Sequence, residues 1–203
     1  MAKIVIIGAG FAGVSLIKNI FARDKGHDVT LIDQSSSSIF LPLLPDVLGR
    51  KIGPSYLEYD LRRLGSKINF KFVEDRVLKV EIAEKRVFTL RRTLDYDYLA
   101  VASGSETNFY GNDSIKKVVF KLDNIFDAKA ALKAVEEGGY DRFVVIGGGY
   151  TGIEIATNLR KIIKEKSILI VERAPSILGP LPQWMKEYVS DNLRFLNIEC
   201  LNG

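Results

Sequence analysis

Two glycine-rich segments are the residues of this chain best suited to chemistry. The first is Gly8-Ala9-Gly10-Phe11-Ala12-Gly13, directly after the apolar run Ile4-Val5-Ile6-Ile7. The second is Gly147-Gly148-Gly149-Tyr150-Thr151-Gly152, directly after Phe143-Val144-Val145-Ile146. Each precedes an amphipathic stretch and then a second apolar run that ends in an acid, Asp33 or Glu172. The separations, 33 minus 13 and 172 minus 152, both equal 20 residues. A lone Gly-x-Gly-x-x-Gly says little, but two with the same strand, helix and acid spacing describe paired dinucleotide sites. The first glycine permits a tight turn, the second lets backbone approach a pyrophosphate, and the third lets the helix close on the strand. The anion then rests on unpaired N–H groups at a helix N-terminus, and the acid accepts hydrogen bonds from ribose hydroxyls. Two dinucleotides in one chain point to electron transfer between them.

The elements that must position these loops follow from periodicity. Strands are expected at 4–7 and 28–32 around a helix at 11–23, and at 143–146 and 167–171 around a helix at about 152–164. Between the two units, short strand-like runs at 68–73, 76–82 and 86–90 follow a short helix near 57–64. The run 97–104 reads as a buried strand ending in a small-residue turn. A helix at about 124–137 stops at Gly138-Gly139, a helix at about 183–195 follows three prolines, and a last strand starts at 197. Ser35 to Ser38 reads as a solvated linker.

Composition narrows the function classes. The chain has 203 residues, 47% apolar and 27% charged, with a net charge of +4. Basic and acidic residues are interspersed, so no nucleic acid partner is expected, although a weak pull toward an anionic membrane surface is compatible with the charge. Tyr56, Tyr59, Tyr96 and Tyr98 are expected in or near the core. No stretch is long and apolar enough to span a bilayer. The single cysteine, Cys200, allows no internal disulfide and reads as a buried, inert thiol in a cytoplasmic protein. His27 reads as an exposed loop residue, and no metal site is expected.

Taken in order, Gly8-x-Gly10-x-x-Gly13 with Asp33, the segment Ala102-Ser103-Gly104, and Gly147-x-Gly149-x-x-Gly152-x-Glu154 with Glu172 resemble the two-dinucleotide-binding flavoproteins, the pyridine nucleotide–disulfide oxidoreductases. The resemblance covers essentially the whole chain. It implies an α/β fold: a Rossmann-like FAD-binding domain (1–118) followed by an incomplete Rossmann-like NAD(P)H-binding domain (119–203). The family's late Gly-Asp motif and C-terminal domain have no counterpart here, so the chain reads as truncated after Gly203.

Within that family, the disulfide reductases carry a cysteine pair and the sulfide:quinone oxidoreductases carry cysteines before this point. Only Cys200 is present. The phrases Phe40-Leu41-Pro42-Leu43-Leu44-Pro45, Asn108-Phe109-Tyr110-Gly111 and Val171-Glu172-Arg173-Ala174-Pro175 are similar to those of type II NADH dehydrogenases. Ser103 stands where threonine is common and keeps the hydroxyl.

The resemblance implies site roles. Gly8, Gly10, Phe11, Ala12 and Gly13 would cradle the FAD pyrophosphate. Asp33, helped by Gln34, would hold its ribose, and Val77 its adenine. Pro42 and Leu43 would lie beside the isoalloxazine ring, and Ala102, Ser103 and Gly104 near the FAD phosphates. Gly147, Gly149, Tyr150, Thr151 and Gly152 would bind the NADH pyrophosphate, with Glu172 on the ribose. Glu154 would be the active-site carboxylate. Glu172 favours NADH over NADPH, a preference that Arg173 could soften. The implied activity is hydride transfer from NADH to FAD and on to a quinone or other acceptor. The alternatives are another FAD/NAD(P)H oxidoreductase, sulfide:quinone oxidoreductases included, or a split nucleotide-binding protein without turnover of its own. A homodimer and peripheral attachment to the cytoplasmic face of a membrane through the absent part complete the expected associations.

Overall fold

In the computed structural model, which describes residues 1–50 and 52–203, the chain opens with strand β1 (Lys3–Ile7), helix α1 (Phe11–Arg23) and strand β2 (Asp28–Asp33). Strands β3 (Ser37–Ile39) and β4 (Glu58–Asp60) pair antiparallel and flank a 3-10 turn (Leu41–Leu43), helix α2 (Asp46–Gly49) and a second 3-10 turn (Pro54–Leu57). Helix α3 (Leu61–Ile68) and strands β5 (Lys71–Glu74), β6 (Val77–Glu81), β7 (Arg86–Thr89), β8 (Thr93–Asp95) and β9 (Tyr98–Val101) come next. The remainder is α4 (Asp113–Val118), α5 (Ile125–Glu137), β10 (Arg142–Ile146), α6 (Tyr150–Ile162), β11 (Ser167–Glu172), α7 (Gln183–Phe195) and β12 (Ile198–Asn202). Parallel sheets carrying crossover helices bear out the expected α/β class.

The chain separates into two compact units. The first, Met1–Phe40 with Leu57–Glu106, holds a parallel sheet in the order β5-β2-β1-β9 and an antiparallel sheet β6-β7-β8. Adjacent residues of β1 and β2 point to opposite faces, and both faces are apolar, as a parallel sheet covered on both sides requires. Ile6 and Leu31 pack with Ile17 and Phe21 of α1 and Leu61 and Leu64 of α3. Their neighbours Val5 and Ile32 pack on the other face with Val87 of β7 and Tyr96. Helix α1 buries Gly13, Ile17 and Phe21, a spacing of four that lays one stripe on the sheet. Asp75 is buried beside β7, where it accepts from the Thr89 hydroxyl at 2.7 Å and the Arg76 N–H at 2.8 Å.

The second unit, Leu41–Tyr56 with Thr107–Gly203, holds the parallel sheet β10-β11-β12. Val145, Ile168, Ile170 and Ile198 pack against Ala156 and Leu159 of α6 and Leu193 of α7. Helix α2 also docks on α6 in this unit. A Cβ on Gly49 would stand 2.5 Å from the carbonyl oxygen of Asn158, so only glycine permits the approach. The buried Asn158 donates through Nδ2 to Asp46 Oδ1 at 3.2 Å. Residues 107–118 group with the C-terminal half of the chain, and Thr107 donates through its N–H and its hydroxyl to Asp123, at 3.1 and 2.5 Å.

Several local expectations need correction. The short helix lies at Leu61–Ile68 because Asp60 caps it, accepting from the Arg63 N–H at 2.9 Å. The residues before it are a 3-10 turn and β4. Ser37 and Ser38 belong to β3 instead of a free linker. Strand β9 is not fully buried: it ends the sheet order, and Tyr98 and Val101 are both 66% exposed. Tyr96 is buried, but Tyr56 and Tyr59 are exposed. His27 is half-buried, with Nε2 3.2 Å from Asp24 Oδ2. Cys200 is exposed on β12, the last strand in its sheet order, and lines an open groove whose α7 wall is polar and charged, with Lys186, Ser190 and Arg194. Partial desolvation raises the thiol pKa, and the charge of Arg194 opposes the rise.

Candidate functional site: two glycine loops laced to strand-end acids

The two glycine segments fold into near-identical loops. Gly8 and Gly147 take φ of +100° and +106°, left-handed values that disfavour any side chain. That turn brings the Gly8 N–H to the Ile32 carbonyl and the Gly147 N–H to the Val171 carbonyl, both at 2.8 Å. The chain then enters α1 through Gly10 and α6 through Gly149, and neither helix has a side-chain cap. The first-turn N–H groups are therefore presented to an incoming anion.

The other glycines divide by what surrounds them. A Cβ on Gly13 would stand 2.0 Å from the Gly8 oxygen, and one on Gly152 would stand 1.9 Å from the Gly147 oxygen. These two glycines let helix and loop close on each other. At Gly10 and Gly149 nothing lies within 4 Å of where a methyl group would stand, so the space in front of them is open to a ligand. A third strand-end device supports the first loop: the Ala102 oxygen lies 2.2 Å from where a Gly8 Cβ would be. The Ala102-Ser103-Gly104 segment therefore crosses directly beside Gly8, held by the Ala102 N–H to the Ile7 carbonyl at 2.7 Å.

Both acids are already at work on their loops. Asp33 accepts from the Ala9 N–H through Oδ2 at 2.6 Å and from the Ser35 N–H through Oδ1 at 2.9 Å. Glu172 accepts from the Gly148 N–H through Oε2 and from the Ala174 N–H through Oε1, both at 2.7 Å. The hydrogen bonds from Ala174 and Gly148 outweigh the desolvation of Glu172 and lower its pKa. Each carboxylate oxygen retains a lone pair for a further donor, as a ribose hydroxyl would supply. This lacing was not legible in the sequence, from which Ala9, Gly148, Ser35 and Ala174 received no part in holding the acids. The same holds for the support from Ile177 and Leu178: the Leu178 N–H donates to the Gly148 carbonyl at 2.9 Å, and Ile177 packs over Gly148.

The remaining candidates are spread over both units. In the first unit, Phe11 is half-exposed and packs on Phe40 with ring centroids 5.1 Å apart, while Ala12 and Gln34 are exposed and Val77 is half-buried on β6. In the second unit, Tyr150 and Thr151 are exposed in the first turn of α6 and Glu154 lies exposed just beyond. Pro42 is exposed and Leu43 half-buried in the 3-10 turn ahead of α2, with the buried Leu44, Val47 and Leu48 fixing that segment. Among the described residues no cluster of His, Cys, Asp and Glu could hold a metal, and no helix is long and apolar enough to cross a membrane.

Comparison with known proteins agrees with this geometry. Over 199 residues the chain is 27% identical to the mitochondrial external alternative NAD(P)H-ubiquinone oxidoreductase B2 of Arabidopsis thaliana, covering 85% of this chain and 34% of that protein. It is 26% identical to the type II NADH:quinone oxidoreductase of Staphylococcus haemolyticus, covering 96% of this chain and 54% of the relative. The solved structure of NDH2 from Plasmodium falciparum in complex with NADH superposes with a TM-score of 0.86 at 25% identity, over 99% of this chain and 48% of that one. The chain thus spans between about a third and about half of the length of these relatives. The family model for pyridine nucleotide-disulphide oxidoreductases matches residues 2–203, and with the twin acid-laced glycine loops in place the chain belongs to that family.

Proposed function

We propose that this chain is the nucleotide-binding part of an FAD-dependent NADH dehydrogenase of the type II kind. The observation that carries the reading is the duplication itself: two uncapped helix N-termini, each behind a glycine that leaves open space and each beside a laced carboxylate. Such a cradle fits a dinucleotide pyrophosphate and would be filled by any Cβ. When bound, FAD and NADH would supply hydride transfer from nicotinamide C4 to flavin N5 and delivery of electrons to a quinone or other acceptor.

In this reading the first loop, Gly8 to Gly13, holds FAD, with Asp33 and Gln34 on its ribose and Val77 toward its adenine. Ala102, Ser103 and Gly104 line the phosphates, and Pro42 and Leu43 border the flavin ring. The second loop, Gly147, Gly149, Tyr150, Thr151 and Gly152, holds NADH, and Glu172 accepts its ribose hydroxyls. A carboxylate there repels a 2′-phosphate, which makes NADH the preferred donor. By the family resemblance Glu154, exposed just past the first turn of α6, is assigned the active-site carboxylate role. On sequence grounds the flavin part is 1–118 and the nicotinamide part 119–203. The quinone acceptor rests on the names of the relatives.

The test is a visible spectrum of the purified protein supplied with FAD and titrated anaerobically with NADH. Flavin that remains with the protein and bleaches promptly supports the dehydrogenase. Retained flavin that NADH leaves oxidised, or flavin that is not retained, rejects turnover by this chain and favours nucleotide binding without it.

A further inference from the structure

The residue after the ribose acid carries a positive charge, and the structure holds that charge in a particular place. Arg173 follows Glu172 directly, and its guanidinium carbon lies 5.6 Å from the centroid of the Tyr110 ring. The two residues come from distant parts of the second unit. Tyr110 is built to present its ring. Its backbone is left-handed, with φ +51°, and the next residue, Gly111, has φ +77°. Its N–H donates to Asn108 Oδ1 at 2.8 Å, closing a tight turn around it. Tyr110 as a whole is 79% exposed, so its contact with Arg173 is not a by-product of core packing. On the other side, Glu172 bonds the Ala174 N–H and turns the chain back immediately after Arg173.

Arg173 directly follows the acid that, in the nicotinamide-site reading, would hold the ribose on which NADH and NADPH differ. A 2′-phosphate on the ribose that Glu172 would hold brings about two negative charges to a carboxylate, and only a nearby cation offsets that. Arg173 is the adjacent cation, and Tyr110 occupies it. Resting on the nicotinamide-site reading, we propose that Tyr110 is a positioning residue for donor selectivity: it holds Arg173 away from the 2′ position and so keeps the site biased to NADH. A cation–π contact at an exposed site has a strength that corresponds to a roughly two- to five-fold change in an equilibrium constant.

The test measures equilibrium binding of NADH and of NADPH to the full chain by nucleotide fluorescence, as the ratio of the two dissociation constants. Tyr110→Asn removes the ring with a residue suited to left-handed backbone, and Tyr110→Phe keeps the ring. The expected result is that Tyr110→Asn shifts the ratio about two- to five-fold toward NADPH. Tyr110→Phe should retain the wild-type ratio, and Tyr110→Asn combined with Arg173→Ala should abolish the gain. An unchanged ratio in Tyr110→Asn, or a gain that persists without Arg173, overturns the latch while leaving the site reading intact. Wild-type protein that binds neither nucleotide overturns both.

Discussion

Replacing Gly152 with alanine separates this structural account from helix propensity by the sign of its effect. Gly152 lies within α6, and alanine there should stabilise an isolated helix by about 1 kcal/mol. In this protein the new Cβ would stand 1.9 Å from the Gly147 oxygen, roughly 1 Å closer than real Cβ contacts allow. The obstacle is backbone, in a loop pinned by the Gly147 N–H to Val171 and the Gly148 N–H to Glu172, so it cannot rotate away. Overpacking of this kind costs typically about 1–3 kcal/mol and occasionally more. Taking the upper end against the propensity gain leaves a net loss of about 2 kcal/mol, or about 4–8 °C in Tm for a chain of this size. The first turn of α6 must move from the loop, and NADH should bind up to about thirty-fold more weakly if the whole helix-terminus contribution of about 2 kcal/mol is lost.

Gly149→Ala is the matched control. Nothing stands within 4 Å of its Cβ position, and its φ of −78° suits alanine. It should cost no more than about 1 kcal/mol, the preference for glycine over alanine at a helix cap, yet its methyl group would occupy the pyrophosphate's approach and abolish NADH binding. Thermal melts by circular dichroism and NADH fluorescence titrations read both quantities. Gly152→Ala with unchanged or raised Tm, or Gly149→Ala with NADH affinity intact, would refute the reasoning.

Two further perturbations arise from the same kinds of contact. The pKa of Glu172 is lowered in the folded chain, so its contribution to stability is present above the unfolded value, near 4.5, and is lost as pH falls through the lower folded value. The Tm difference between wild type and Glu172→Gln should accordingly be full at neutral pH and shrink as pH drops below about 4.5; a difference that stays constant from neutral pH to well below that value contradicts the lacing. Gly49→Ala should destabilise the second unit by about 1–3 kcal/mol, because its methyl would meet the Asn158 backbone at 2.5–2.6 Å. Limited proteolysis should then cut within 41–56 sooner than in wild type, and an unchanged digestion pattern would show that α2 does not depend on that contact.

Much of the architecture was open to reading because local chemistry sets it. The helix at 11–23 and the one at 183–195 coincide with the sequence expectation, as do the starts of β2, β7 and β11, whereas β5 begins three residues after the expected 68 and β8 was not anticipated. A stripe at every fourth residue, as in Gly13, Ile17 and Phe21, is a pattern of nearest neighbours along one helix and needs no knowledge of the fold. The short helix after Asp60 shifted because a cap is a single hydrogen bond that sequence periodicity does not resolve. Cys200 misled because an apolar run predicts burial only if something apolar covers it, and the groove beside it is lined by charged residues. Tyr98 and Val101 misled in the same way, since a place at the end of a sheet is a property of strand order.

By itself, then, the sequence determined the two glycine loops, their helices and the acids 20 residues on, because turn geometry and helix termini impose residue types at fixed short separations. The tertiary structure alone decided what those residues touch. It put Asp33 on the Ala9 N–H, Glu172 on the Gly148 N–H, the Ala102 carbonyl against Gly8, Gly49 on Asn158 and Arg173 over Tyr110. Each of these joins segments brought together by strand order and helix packing, and contacts of that kind depend on the whole chain's burial of apolar surface instead of on any spacing written along it.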